Sequence, residues 1–447
     1  MQAYFPRKVK NSMFRKGISC KEFITVITTF IIALWMVGGS LFFLVPTFVQ
    51  LLFLIILFVS LFLTNGIGGF RYIKKISALA ILLITVYWIG NSTNNDSGIL
   101  KYNLIYVLVI LFTISAEKYN DWFEKLFKIA KIGYLFYAIC TITMSLSSNM
   151  IDVVCNVFPA NAATLRYQYS MHAFPGMTNH YSTNAMLLVI GAIIFIAEFI
   201  NRHNKNSLVM SIIFIISILL TGKRAHIIFL LATIVIAYYI YLSNRQRSRI
   251  IKMLALLVGM IVVGYLIFLY VPALAVFIQR FGDAAESGDV TLGRTTFWTL
   301  AIEEFKKHPI FGIGWGEFQK INPRGWHAHN IYVQILCETG IVGFSLYLIW
   351  FLYFLVTTTS IFLKERKRII VVSEKIEKWI ITSFCIQVFF LLYGITGNPI
   401  YDKEMFIPYF VACAATLTVK QKLVKQEQDL QIKVKSPKVE FTDNSQR

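Results

Sequence analysis

The chain has 447 residues, of which 57% are hydrophobic and only 15% charged, and it carries a formal net charge of +20. A mean hydropathy of +0.63 excludes a water-soluble domain of this length and points to a protein whose apolar side chains face lipid as well as one another.

Apolar runs long enough to cross a bilayer of about 30 Å recur along the chain. In order they predict about twelve spans, at 23–43, 47–64, 76–90, 99–116, 129–147, 180–200, 207–221, 226–242, 250–271, 339–362, 379–397 and 405–419. The basic N-terminus resembles the start of a signal peptide. Its apolar run is long, however, lacks a small-residue cleavage site and is followed at once by a second span, so it is expected to be retained. The expected fold class is an all-α integral membrane protein, with one polytopic domain over 1–419. Residues 420–447 are rich in Lys, Gln and Asp and are expected to form a disordered cytoplasmic tail. Two connections stand out, 148–178 and 272–328. The second is the largest non-apolar insertion, and a loop of that length usually has structure and function of its own.

The basic residues are unevenly placed. With the N-terminus in the cytoplasm, 32 of the 43 Lys and Arg fall in inside segments, as the positive-inside rule requires. The positive charge is therefore topogenic, nucleic acid is not an expected partner, and both termini are expected in the cytoplasm. Eleven cations remain outside: Lys101, Arg166, Lys223, Arg224, six in 272–328, and Lys403. The six cysteines show no paired spacing, only Cys155 and Cys337 fall near the outer face, and no Cys/His zinc pattern exists. No metal site and no cofactor are expected.

Residues 293–343 read GRTTFWTLAIEEFKKHPIFGIGWGEFQKINPRGWHAHNIYVQILCETGIVG. A short helix is predicted from Arg294 to His308, with Trp298, Ala301, Ile302 and Phe305 on its apolar face, and Pro309 and Gly312 ending it. Arg294 falls at the centre of that face, in the first turn. A cation there opposes the helix dipole, so it needs an anionic partner, either a bound anion or Asp283, Glu286 or Asp289 just upstream. A second helix is predicted from His329, with Tyr332, Val333 and Leu336 on the face the histidine leads and Asn330, Gln334 and Glu338 as a polar stripe. Gly340 and Gly343 mark the turn into the next span.

Lys223 and Arg224 lie in TGKRAH, a turn of a few residues between two spans. They read either as headgroup anchors with snorkelling side chains or as a phosphate clamp, for which the planar guanidinium fork of Arg224 is better suited. His329 reads as a helix-start residue or as a general base, since an imidazole near its reference pKa of about 6.5 removes a hydroxyl proton at neutral pH. His327 ranks second for that role. His180, beside Asn179, opens a span and can line the same cavity. Trp298, Trp315, Trp326 and Tyr332 read as interfacial packing, with sugar stacking as the alternative. The GIGWG turn at 312–316 follows no strand and is discounted as a phosphate loop.

The order GRTTFW, HPIFGIGWGEF, HAHNIYVQILCETGIVG resembles the conserved region of the O-antigen ligase and polysaccharide polymerase superfamily. The resemblance rests on about 50 residues, and the span layout extends it over most of the chain. It implies a metal-independent glycosyltransferase of GT-C type, in the bacterial cytoplasmic membrane, acting on undecaprenyl-pyrophosphate-linked glycan at the outer leaflet. Carried over by position, Arg224 and Arg294 hold the donor pyrophosphate and His329 activates the acceptor hydroxyl. Lys223 stands where the family often has Ser. Lys223, His327, Asn330, His180, Trp298 and Trp326 are further expected to bind substrate. The favoured function is a polymerase of O-antigen, capsule or exopolysaccharide repeat units, with a chain-length regulator and a flippase of the same pathway as expected partners. A ligase to lipid A core or protein is the alternative. A lipid-linked oligosaccharide flippase ranks lower, because it would place ionisable residues inside its spans, whereas these spans hold little beyond Glu198 near one end.

Overall fold

Ser19 starts the first described helix with a capping box: its Oγ accepts from Glu22 N at 3.2 Å and Glu22 Oε2 accepts from Ser19 N at 3.0 Å. The computed structural model describes residues 19–65, 75–91, 97–119, 121–243, 246–270, 293–370 and 372–435. Among these the regular elements are all helical. We number them α1 (Cys20–Gly38), α2 (Thr47–Asn65), α3 (Lys75–Asn91), α4 (Ser97–Ser115), α5 (Trp122–Leu146), α6 (Asn149–Val157), α7 (Ala162–Ser170), α8 (Tyr181–Arg202), α9 (Lys205–Leu220), α10 (Arg224–Tyr241), α11 (Gln246–Tyr270), α12 (Arg294–Lys307), α13 (Phe318–Ile321), α14 (Ile331–Arg366), α15 (Glu374–Tyr393) and α16 (Lys403–Lys435).

Each of the twelve apolar segments falls on one of these helices. Seven of the described helices are long and apolar enough to cross a membrane, which makes the chain an integral membrane protein. Their outward faces carry large apolar side chains, such as Phe48, Phe58 and Leu63 on α2, as lipid contact demands. Inside the bundle, helices are joined by buried polar contacts rather than by greasiness alone. Thr28 and Ser60 join α1 to α2 at 2.9 Å. Tyr106 and Tyr347 join α4 to α14 at 2.8 Å. Thr358, Gln387 and Thr416 join α14, α15 and α16.

Several boundaries differ from expectation. Helix α5 starts at Trp122, seven residues before the apolar run, because its Lys- and Glu-bearing first turns are helical too. The 148–178 connection folds into α6 and α7, and Arg166 there pairs with Asp152 at 2.8 Å. Helix α16 runs on to Lys435, so 420–435, expected to be unstructured, is helical, while 436–447 lies outside the described residues. The predicted interfacial helix and the 339–362 span meet where expected: α14 is two helical pieces joined at Gly340, whose backbone (φ 62, ψ −168) is not helical.

The two ends of the bundle differ in chemistry. Arg202, at the end of α8, pairs with Glu374, at the start of α15, at 3.1 Å, so these helices are antiparallel. Close by, Glu198 accepts from Lys131 and Lys378, and Arg366 pairs with Glu377. Glu198 is thus a satisfied ion-pair partner at this end. The opposite end holds the starts of α8, α10 and α14 and the end of α15. His226 on α10 lies 4.5 Å from the Tyr393 ring, and Ile331 N donates to Gly394 O at 2.8 Å.

Candidate active site

His329 sits one residue before the N-cap of α14, not inside the helix as expected. Asn330 is that cap: its Oδ1 accepts from Tyr332 N at 3.0 Å and Val333 N at 3.2 Å. The capping oxygen of Asn330 is therefore committed to the helix. His329 itself has φ 54, a left-handed conformation that non-glycine residues adopt sparingly. Such strain persists where surrounding contacts over-determine the backbone, and here they do. Trp298 Nε1 donates to Ala328 O at 2.8 Å, and Ala328 N donates to Gln334 Oε1 at 2.9 Å. Trp298 is thus a strut behind the histidine corner.

On α14 Gln334 and Glu338 of the polar stripe are more buried than the face the histidine was expected to lead. Gln334 and Glu338 are fully buried with Ile331, Ile335 and Cys337, whereas Tyr332, Val333 and Leu336 are half-buried. Burial of the polar stripe follows from its partners. Glu338 Oε1 accepts from Phe318 N at 3.2 Å and Gln334 Nε2 at 3.1 Å. Its Oε2 accepts from Gly316 N at 2.9 Å and from the Tyr401 hydroxyl. Gln334 in turn meets His327 Nδ1 at 2.7 Å and accepts from Asn398 Nδ2 at 2.8 Å. The GIGWG turn does hold an acidic side chain, but it is the chain's own Glu338.

The same turn explains the glycines. Pro309 O accepts from Ile341 N at 2.9 Å and Glu338 O accepts from Gly314 N at 2.9 Å, so 309–316 docks on the α14 kink. A Cβ at Gly340, whose φ is +62, would lie 2.2 Å from Ile310 O, and one at Gly312 would lie 2.3 Å from the Glu338 carbonyl carbon. Only glycine allows both approaches. Helix α12 packs on α14 through Phe297, Ala301, Phe318, Ala328 and Cys337. Ile302, predicted on its apolar face, is 41% exposed; the buried face is turned towards Phe297. Asp283, Glu286 and Asp289, the alternative partners of Arg294, lie outside the described residues.

The cations come from other elements. Arg224 is the first residue of α10 and Lys223 its N-cap. The Lys223 Nζ lies 4.7 Å from the Tyr181 ring centroid, and His180 stacks on the same tyrosine at 4.5 Å. His180 Nδ1 accepts from Ser182 N at 3.1 Å. Burial, reinforced by Lys223, pushes His180 down to about 4. Burial lowers the pKa of Arg294, Tyr393 and Tyr181 oppose that lowering, and Arg224 adds to it. Burial, then Arg294, then Lys223 push His329 down to about 4. Burial and then His329 push His327 down to about 4, against its bond to Gln334. Trp326, 52% exposed, faces His329 edge-on at 6.5 Å.

All nine candidate residues therefore gather at one end of the bundle. Arg224, Arg294, Lys223 and His329 form one electrostatic neighbourhood, with His180 and Trp326 at its margin and Trp298, Asn330 and His327 behind it. Three cations against a neutral imidazole suit a polyanion next to a proton acceptor. Sequence reasoning missed Asp402. Burial and Glu404 raise it to about 7, and Lys223 opposes that rise. Its signal was available as a polar NPIYDKE segment between two apolar runs, of which only Lys403 was weighed.

Comparison with known proteins picks out this region. Residues 208–348 match the sequence model of a family described as O-Antigen ligase, and that stretch contains Arg224, Arg294, His329 and Glu338. Over an alignment of 74 positions the chain is 34% identical to the exopolysaccharide production protein ExoQ of Rhizobium meliloti, covering 13% of this chain and 17% of that protein. Over 208–348 the chain matches the O-Antigen ligase family, the group its motifs resemble.

Proposed function

We propose that the protein is a metal-independent glycosyltransferase of GT-C type, crossing the cytoplasmic membrane about twelve times, that joins undecaprenyl-pyrophosphate-linked repeat units at the outer face. One observation carries this reading: the helix that Arg294 opens is bonded to the His329 corner through Trp298 and Ala328 O, and the starts of α10, which bears Arg224, and of α14 both meet the end of α15; Arg224, Arg294 and His329 all lie inside the matched region. In the proposed step the acceptor hydroxyl oxygen bonds to the anomeric carbon of the donor's first sugar and its proton passes to His329. The bond from that carbon to the phosphate oxygen breaks, and the polyprenyl diphosphate leaves with the electron pair. Arg224, Arg294 and Lys223 stabilise the charge that grows there. Removing one such preorganised donor typically costs about 10²–10³ in rate, and loss of base assistance about 10²–10⁴.

Polymerase and ligase share this chemistry and differ only in acceptor. The relative's exopolysaccharide name supports the polymerase, and the family's description supports transfer of finished chains to another acceptor. Gel analysis of surface glycan with mass spectrometry of lipid-linked species tests the choice in a His329→Ala strain. A polymerase defect leaves single lipid-linked repeats and no long chains. Persistent long lipid-linked polymer that never reaches its acceptor establishes the ligase instead, and repeats trapped on the cytoplasmic side a flippase.

A further inference from the structure

Three of the groups around the Glu338 carboxyl can only donate: Gly316 N, Phe318 N and Gln334 Nε2. The carboxyl is fully buried, and its two oxygens receive four donors: Phe318 N and Gln334 Nε2 on Oε1, Gly316 N and the Tyr401 hydroxyl on Oε2. These donors belong to three separate pieces of chain: the glycine turn of 312–318, α14 itself, and the connection after α15. One bond further, Gln334 holds Ala328 N, His327 Nδ1 and Asn398 Nδ2. Ala328 and His327 directly precede His329, whose left-handed backbone needs fixed neighbours on that side.

We infer that Glu338 is a positioning residue for transfer, a buried carboxylate latch that fixes the His329 corner through Gln334 and ties it to the docked glycine turn. The inference rests on the reading of His329 as the base. It explains why the glycine turn and the Glu-x-Gly kink occur together in one sequence: each supplies half of the latch. It also accounts for His327, whose Nδ1 bond to Gln334 and 4.6 Å contact with the Tyr401 ring make it part of the support.

The arrangement sets an unusual order of tolerance. Glutamine matches glutamate in shape, but its NH₂ must face a donor pair whichever way the amide is turned, leaving at least one buried backbone N–H without an acceptor. Aspartate is shorter, yet keeps two acceptor oxygens. If Glu338 only filled space, Glu338→Gln would be the milder change; if it is the latch, Glu338→Asp is.

The test uses full-length variants in nanodiscs, each checked for membrane abundance and monodispersity, with kcat and donor KM measured on a lipid-diphosphate-linked repeat unit. The expected result is a fall in kcat of about tenfold to a hundredfold for Glu338→Gln, with a smaller change in donor KM, because two of the three proposed donor-holding cations, Lys223 and Arg224, come from α10 and only Arg294 comes from α12. Glu338→Asp is expected to recover part of that loss. Tyr401→Phe, which removes one donor and keeps the ring, is expected to lower kcat by a smaller factor with the fold intact. If both Glu338 variants fail to reach the membrane, wild-type kcat in Tyr401→Phe overturns the latch. Glu338→Gln equal to or better than Glu338→Asp overturns it as well. Wild-type turnover in His329→Ala overturns the reading beneath it, a separate failure.

Discussion

Neutralising Lys223 should move the titration of His329 upwards. The imidazole is pushed from 6.5 to about 4 by burial first, Arg294 second and Lys223 third. That lowering corresponds to roughly 3 kcal/mol against the imidazolium. In Lys223→Met one repulsive charge is gone, so the pKa rises; in Arg294→Met the larger charge contribution is gone, so it rises further. Neither reaches 6.5, because burial, the largest cause, remains. The working base is the neutral ring, so function is lost as pH falls through this value. In the free protein that limb lies at about 4, lower than the sequence alone suggests, and it shifts to higher pH in each variant. An anionic diphosphate between the cations should raise it too, placing the kcat limb above the kcat/KM limb. Reaction of His329 with diethyl pyrocarbonate against pH, followed by peptide mass spectrometry, reads the ring directly and needs no activity. Titration of His329 near 6.5 in the wild type, unmoved by Lys223→Met, would refute the electrostatic picture.

Gly340→Ala should uncouple the glycine turn from α14. Backbone at φ 62, ψ −168 is essentially glycine-only and costs an L-residue about 1–3 kcal/mol, and the backbone clash with Ile310 adds the loss of the docking bonds at about 1 kcal/mol each. Thermal unfolding in detergent should show a lower midpoint, whereas Gly259→Ala, with nothing within 4 Å of its added Cβ, should hold or raise it; an unchanged Gly340→Ala midpoint would contradict the docking. Arg294→Ala should reduce transfer by about 10²–10³ with normal abundance, and Arg294→Lys should restore only part of it, since an ammonium lacks the bidentate fork. Full activity in Arg294→Ala would reduce that residue to an ion-pair partner. Single cysteines placed at Asp289 and Lys320 should react with an impermeant thiol reagent from the outside of intact cells, and labelling only after permeabilisation would overturn the topology.

The helical character of the chain was legible because each apolar run is long enough to cross a bilayer, where a helix satisfies its own backbone. Boundaries were less so, as at Trp122, where the charges that mask the helix from a hydropathy reading include Glu124, 3.8 Å from Lys378, and Lys131, paired with Glu198. The candidate residues were legible from their types and order, but the faces of α14 were not. A polar stripe reads as solvent-facing unless its partners are known, and those of Glu338 and Gln334 come from residues 316–318, 327–328 and 398–401. Likewise, no local signal says that His329 turns left-handed before its helix. Asp402 escaped notice because its significance lies in its interaction with Lys223, which sequence distance conceals.

The most direct measurement is transfer by the purified protein in proteoliposomes supplied with a single undecaprenyl-pyrophosphate-linked repeat unit. The account predicts lipid-linked dimers and longer chains together with released polyprenyl diphosphate, and neither product with His329→Ala at equal protein. Equal product formation by His329→Ala and wild type would contradict it.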